Sequence, residues 1–160
     1  MRIVVEETIE LGSVPSEVRS RIMRSVGQRD TAPEIKVRRL LYKMGYRFRL
    51  NRTDLPGKPD IVMPGRRIAI FVHGCFWHRH PQCPRASMPA SNRSFWEKKF
   101  QRNRERDLEN VKELIELGWR VLVVWECSTR DKDRTLATSL SASINQLSDE
   151  ESGSSYGEIP

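Results

Sequence analysis

The eleven residues from His73 to Cys83, His-Gly-Cys-Phe-Trp-His-Arg-His-Pro-Gln-Cys, hold every histidine of the 160-residue chain and two of its three cysteines. The third, Cys127, follows 44 residues later, just behind the apolar run Val121 to Trp125. Sulfur and imidazole at this density meet the needs of a tetrahedral zinc ion, and Cys75, His80, Cys83 and Cys127 fill four positions and close the site. A closed knot of this kind ties one loop to the end of a distant strand, which restricts the folds open to the chain. It leaves His73 and His78 without a metal role. Free imidazole titrates near neutral pH and can move protons, so the cluster offers candidates for two jobs, one structural and one chemical. The bland alternative is three buried thiols and surface histidines, against which stands the dense Cys-x4-His-x2-Cys spacing.

A chain of this length suits one domain with a real core. The expected division is a flexible N-terminal segment over 1–15, a single domain over 16–147 and a disordered tail over 148–160, where the Ser/Glu/Gly stretch has too few apolar residues to fold alone. With 28 basic and 21 acidic residues the net charge is +7, which calls for an anionic partner, nucleic acid first. The positive field is one-sided. Residues 19–52 hold eleven Lys or Arg against Asp30 and Glu34, a local +9, whereas residues 131–160 carry a local −4. No run approaches the roughly 18 to 20 apolar residues of a membrane span, and Glu6, Glu7 and Glu10 occupy the place where a signal peptide would be basic and then apolar. A cytoplasmic monomer with reduced thiols is expected, and an odd cysteine count there fits metal better than disulfides.

Val18, Ile22 and Val26 recur among Arg19, Arg21 and Arg24, the pattern of a short basic helix over Ser16 to Val26. Thr31-Ala32-Pro33-Glu34 has capping-box form, and Ile35, Val37, Leu40, Leu41 and Met44 continue a helix that Gly45 can end. Tyr46 to Leu50 alternates as a half-exposed strand does, and Asp60 to Met63, a turn at Pro64-Gly65 and Arg67 to Val72 form a hairpin. Asn92 can cap a long helix to Leu117 with Phe95, Leu108, Val111, Leu114 and Ile115 as its apolar positions. Trp119 to Trp125 is a strand too apolar for an edge, and Thr135 to Leu147 a weak last helix. The order predicts an α/β fold, a small mixed β-sheet flanked by helices on both faces.

Leu55-Pro56-Gly57-Lys58-Pro59-Asp60 sets a carboxylate at the start of the first hairpin strand, and the second carries Phe71, Val72 and His73. With Glu34 on the preceding helix, this layout resembles the PD-(D/E)xK nucleases, whose hairpin carboxylates hold Mg²⁺ against the scissile phosphate. Phe71 to His73 stand where the usual second acid and lysine would be. Asp60 also reads as a turn residue at a strand start, and Glu34 as the capping partner of Thr31.

The resemblance narrows with Asp30-Thr31-Ala32-Pro33-Glu34, Leu55 to Asp60, His73-Gly74-Cys75-Phe76-Trp77-His78, Arg104-Glu105-Arg106-Asp107, Leu117 to Val121 and Trp125-Glu126-Cys127. In order and spacing these are similar to the very short patch repair (Vsr) endonucleases over about residues 16–130, with the loop between His80 and Cys83 one residue longer. The resemblance implies a Mg²⁺-dependent, strand-specific nick on the 5′ side of the thymine in a T·G mismatch of duplex DNA, within very short patch mismatch repair, on a PD-(D/E)xK-like fold with a structural zinc site. It implies Asp60 as the Mg²⁺ ligand, His78 as the catalytic histidine, His73 and Asp107 as further active-site positions, Cys75, His80, Cys83 and Cys127 as zinc ligands, and Met23, Phe76 and Trp77 as a wedge in the duplex. Repair-pathway proteins are candidate partners.

General chemistry accommodates these roles. Mg²⁺ keeps several waters, so Asp60 with the Val72 backbone carbonyl is a sufficient protein share. Adjacent aromatics such as Phe76 and Trp77 are normally core, but in a loop with no helix or strand period they suit insertion between base steps. Lys98, Lys99 and Arg102 lie on one helix as phosphate contacts or as a solvated face paired with Glu97 and Glu105. The rival reading is a zinc-stabilised module that binds distorted or mismatched DNA and cuts nothing. A hydrolase with a catalytic zinc needs an open coordination position, which four ligands would deny it.

Overall fold

Helix α1 (Ala32–Lys43) starts where the Thr31 side chain accepts the Glu34 amide, with Pro33 in its first turn, and ends ahead of Gly45 in the left-handed region. The computed structural model describes residues 29–149 and 153–160. The helix expected over Ser16 to Val26, Met23 within it and the segment 1–15 lie outside the described residues.

Beyond α1 come strands β1 (Arg49–Leu50), β2 (Ile61–Met63) and β3 (Ile68–His73), then the one-turn helix α2 (Cys75–His78), the long helix α3 (Arg93–Glu116), strand β4 (Arg120–Trp125), helix α4 (Asp133–Ser148) and strand β5 (Tyr156–Ile159). They build one five-stranded sheet in the order β1-β2-β3-β4-β5. The β1–β2 and β2–β3 pairs are antiparallel, and the β3–β4 and β4–β5 pairs parallel. The expected mixed sheet with helices on both faces is the observed fold. The hairpin turn is a single 3-10 turn over Pro64–Arg66 closed by Arg67 in the left-handed region.

Alternation along the strands divides the core in two. Ile68, Ile70, Leu122 and Val124 face α1 and α4, where Val37, Leu40, Leu41, Leu136, Leu140, Ile144 and Leu147 meet them. Ala69, Phe71, Val121, Val123 and Trp125 face the other way with Leu114 of α3, Leu55 and Cys75. Buried on both faces, β4 is central, as its continuous apolar run predicted.

Three expectations change. The strand over Tyr46 to Leu50 shrinks to Arg49–Leu50, because β2 offers only a short partner, while Tyr46 and Phe48 pack against the first core instead. On α3, Phe95 and Leu108 are 56% and 70% exposed, since the helix meets the sheet through its C-terminal half around Val111, Leu114 and Ile115. Of the tail expected to be disordered over 148–160, Ser148 belongs to α4 and Tyr156 to Ile159 form the edge strand β5, hydrogen-bonded along β4, with Ile159 in the first core. Its composition cannot form a core by itself, but an existing sheet edge needs only one inward apolar side chain and a run of free backbone groups. Replacing Ile159 with Ala should therefore lower stability by about 2 kcal/mol in urea unfolding. An unchanged midpoint would show that β5 adds nothing to the core.

Candidate active site and metal centre

The parallel pairing of β3 with β4 sets His73 beside Trp125, so the segments leaving both strands emerge at one end of the sheet. In open α/β sheets this carboxyl end is where functional groups collect. The segment after β3 turns at once into α2, whose first amide, at Cys75, donates to the Glu126 carboxylate at 3.3 Å. Glu126 follows β4 directly, so one side chain holds the start of α2 against the end of its neighbouring strand.

This convergence gathers the four sulfur and imidazole candidates. Ligand atoms of Cys75, His80, Cys83 and Cys127 all lie within 4.8 Å of one another and could hold a metal ion. His80 presents Nδ1, which stands 3.2 Å from Cys127 Sγ and 3.8 Å from Cys75 Sγ. Tetrahedral bonds of about 2.0–2.3 Å require ligand separations of roughly 3.3–3.8 Å, so the spacing suits a single small ion. The loop between His80 and Cys83 brings the ligand atoms of both residues within 4.8 Å of those of Cys75 and Cys127. The His80 ring is also stacked on Trp125, at 4.3 Å between centroids and 14° between planes.

The two remaining histidines face each other. Their rings are stacked at 3.8 Å and 5°, and Asp107, reaching in from α3, takes a 2.5 Å hydrogen bond from His78 Nδ1. With a carboxylate as acceptor the bond is donated by Nδ1–H, so in the neutral form of the ring the lone pair lies on Nε2. Burial raises the Asp107 carboxyl, but the His78 bond and the charges of His78 and Arg106 outweigh it and hold it below the usual range. His73 is pushed down to about 3, chiefly by burial and then by His78, so it stays neutral through the physiological range.

Asp60 lies directly ahead of β2 and accepts the Val72 amide at 2.8 Å. Burial, opposed by this bond and reinforced by Glu34, pushes its carboxyl up to about 6; the Arg38 and His78 charges pull the other way, which sets His78 within electrostatic reach. The loop ahead of it is pressed onto α3: Gly57 has a φ of +70°, and a Cβ there would meet the Asn110 side chain at 2.9 Å. Asp60 and Asp107 are thus held by two segments in direct contact.

Phe76 and Trp77, expected in an irregular loop, lie on the single turn of α2. They join Trp96 and Phe100 of α3 in edge-to-face contacts: Phe76 is 5.1 Å from Trp77, 5.6 Å from Trp96 and 5.2 Å from Phe100. Phe76 and Trp77 stay partly exposed. The Lys99 ammonium lies over Trp77 and Trp96 at 5.1 and 5.4 Å, so this cation caps the rings, while Lys98 and Arg102 are exposed along α3. Glu34 is only 4% exposed, and its carboxylate accepts from the Asp30 amide, the Thr31 hydroxyl and Arg38. Both of its readings therefore have a basis, since it caps α1 and adds its charge to Asp60.

Sequence reasoning missed Trp96, Phe100 and Glu126. The i, i+4 spacing of Trp96 and Phe100 was a readable signal for one shared face; nothing local marks Glu126 as the partner of an amide 51 residues away.

The mixed five-stranded sheet with helices on both faces is the nuclease fold of the family that the chain matches. The family model described as DNA mismatch endonuclease Vsr matches residues 14–85. The chain is 50% identical over 115 residues to the type II nicking enzyme V.XorIIP of Xanthomonas oryzae pv. oryzae, covering 72% of this chain and 84% of that protein. It is 42% identical over 128 residues to the DNA mismatch endonuclease Vsr of Escherichia coli, covering 80% and 81%. A third relative, the type II nicking enzyme V.NmeAIP of Neisseria meningitidis, is 42% identical over 114 residues, covering 71% and 81%. The chain belongs to the Vsr family of DNA endonucleases.

Because its folded value lies above the ordinary 3.8, Asp60 favours folding in its protonated form; that contribution is full below about pH 4 and is lost as pH rises through about 6. Without added magnesium, Asp60→Asn should be more stable than the parent at pH 8 by roughly 2–3 kcal/mol, shrinking towards zero near pH 4. Urea unfolding at the two pH values checks this, and a gain of equal size at both would remove the buried-acid account.

Proposed function

We propose that this Vsr-family endonuclease nicks duplex DNA on the 5′ side of the thymine in a T·G mismatch, by Mg²⁺-dependent phosphodiester hydrolysis in mismatch repair in the cytoplasm. The carrying observation is the His78–Asp107 pair, with the buried carboxyl of Asp60 near enough for the His78 charge to act on it.

A buried carboxyl raised by desolvation is one that a cation would relieve, and Asp60 Oδ1 is not used by the Val72 amide. In an extended strand the amide and carbonyl of one residue leave on the same side, so the Val72 carbonyl is the natural second protein ligand. Bound there, Mg²⁺ supplies charge neutralisation for the phosphate and its leaving oxygen. His78 Nε2 accepts the proton of the attacking water, and Asp107 steadies the imidazolium that forms. His73, neutral and stacked on His78, orients that ring without opposing its new charge.

Phe76 and Trp77 present an aromatic edge beside this chemistry, and unstacking a base step costs least where pairing is already weak. Selectivity for the mismatch follows from that difference, with Met23 assigned to the same wedge. Lys98 and Arg102 are assigned to phosphates, which position the protein without reading sequence. The donor set of three thiolates and one imidazole assigns zinc to the Cys75, His80, Cys83 and Cys127 knot as a structural ion.

Single-turnover nicking of a T·G duplex should require Mg²⁺, exceed nicking of the matching T·A duplex by at least about tenfold, and fall roughly a hundredfold or more in Asp60→Ala. Nicking by Asp60→Ala at the parent rate would overturn the mechanism. Mismatch binding with no nick under any divalent metal would favour the non-cutting module. For the knot, Cys127→Ser should lose most of its zinc by atomic emission and melt about 10 °C lower; purified parent protein without zinc would refute the assignment.

A further inference from the structure

Strand β5 does more than complete the sheet. Alternation puts Gly157 and Ile159 on the face of α1 and α4, and turns Tyr156 and Glu158 to the face that carries the site. Both oxygens of Glu158 are engaged there. Oε2 accepts the indole N–H of Trp125 at 3.0 Å, and Oε1 accepts the Tyr156 hydroxyl.

Trp125 touches both halves of the site. Only 6% exposed, it meets His73 edge-on at 5.5 Å and 72° and stacks on His80 of the Cys/His knot. Its N–H is a buried donor, so the acceptor that satisfies it sets how the indole is turned. Burial, the Glu158 bond and charge, and the Asp107 charge raise the Tyr156 phenol above its ordinary value, which keeps it a donor and places it within electrostatic reach of Asp107.

We infer that Glu158 is a positioning residue for the nicking reaction: by fixing the Trp125 indole it sets the orientation of His73 and, through the ring stack, of His78. The carboxylate contacts neither histidine and takes no proton from substrate. It acts at one remove, as carboxylates behind metal-bound or catalytic imidazoles do, where loss of such a partner typically costs about 10- to 100-fold. The inference rests on the proposed nicking activity for its kinetic arm alone.

The test uses the full, metal-loaded chain and four variants. Glu158→Ala removes the acceptor, Glu158→Asp keeps the charge but shortens the reach, Glu158→Gln keeps an acceptor oxygen, and Tyr156→Phe frees Oε1 only. Ring-proton resonances of His73 and His78 and the Trp125 indole N–H resonance should move in the Ala and Asp variants and stay near parent positions in Gln. The single-turnover nicking rate should fall about tenfold in Ala and Asp, recover to within about threefold in Gln, and fall no more than about threefold in Tyr156→Phe, with T·G duplex affinity within about twofold throughout. If Glu158→Ala does not fold, the Asp and Gln pair carries the same comparison. Unmoved histidine resonances in Asp, a Gln variant as slow as Asp, or a loss in DNA affinity in place of rate would each overturn the assignment. A parent protein that nicks nothing would defeat the proposed function, while the resonances alone would still decide whether Glu158 orients the rings.

Discussion

The register of β3 on β4 is the constraint from which the site follows. With His73 paired to Trp125, the chain leaving each strand turns into the same space, and Cys127 arrives beside Cys75 although 52 positions separate them in the sequence. A slip of one residue would send Phe71 and His73 to the opposite face and separate the two imidazoles from Asp107. The apolar faces resist such a slip. Ile68 and Ile70 are fully buried on one side of β3 and Ala69 on the other, so the hydrophobic effect that holds the sheet together also holds the histidines in place.

Four titratable groups meet at that end of the sheet, Asp60, His73, His78 and Asp107, and their surroundings drive three of them apart. Burial raises Asp60 and lowers His73, each towards its neutral form, whereas the His78 bond keeps Asp107 ionised against its own burial. Divergent environments of this sort set like groups apart: one acid and one ring are held towards neutrality while the other acid is held charged. The aromatic cluster of Phe76, Trp77, Trp96 and Phe100 adjoins them because α2 has a single turn, so residues that precede His78 by one and two positions cannot move independently of it.

Most of the residues gathered at the candidate site were legible because they are chemically rare. Three histidines and three cysteines in 160 residues leave few ways to assemble a metal knot, and a proline-bound aspartate at a strand start stands out from solvated acids. Asp107 was legible only through family likeness, since an acid between arginines on a helix is locally indistinguishable from a surface ion pair. The same limit explains Phe95 and Leu108: an apolar residue on a helix announces a face, but the part of the helix that meets the sheet is set by where neighbouring elements leave room.

The sequence by itself determined the mixed α/β architecture, the central placing of β4, the capping of α1 by Thr31 and the donor set of the knot. Each depends on short-range periodicity or on residue chemistry, which a linear reading retains. Tertiary structure alone decided that Tyr156 to Ile159 would be a strand, that Glu126 would hold the start of α2, that Lys99 would cap aromatic rings, and that Glu158 would meet Trp125. Those contacts join elements far apart in the chain. Their free energy exists only once the sheet has formed and supplied an edge, a buried donor or an exposed ring for the second partner to meet.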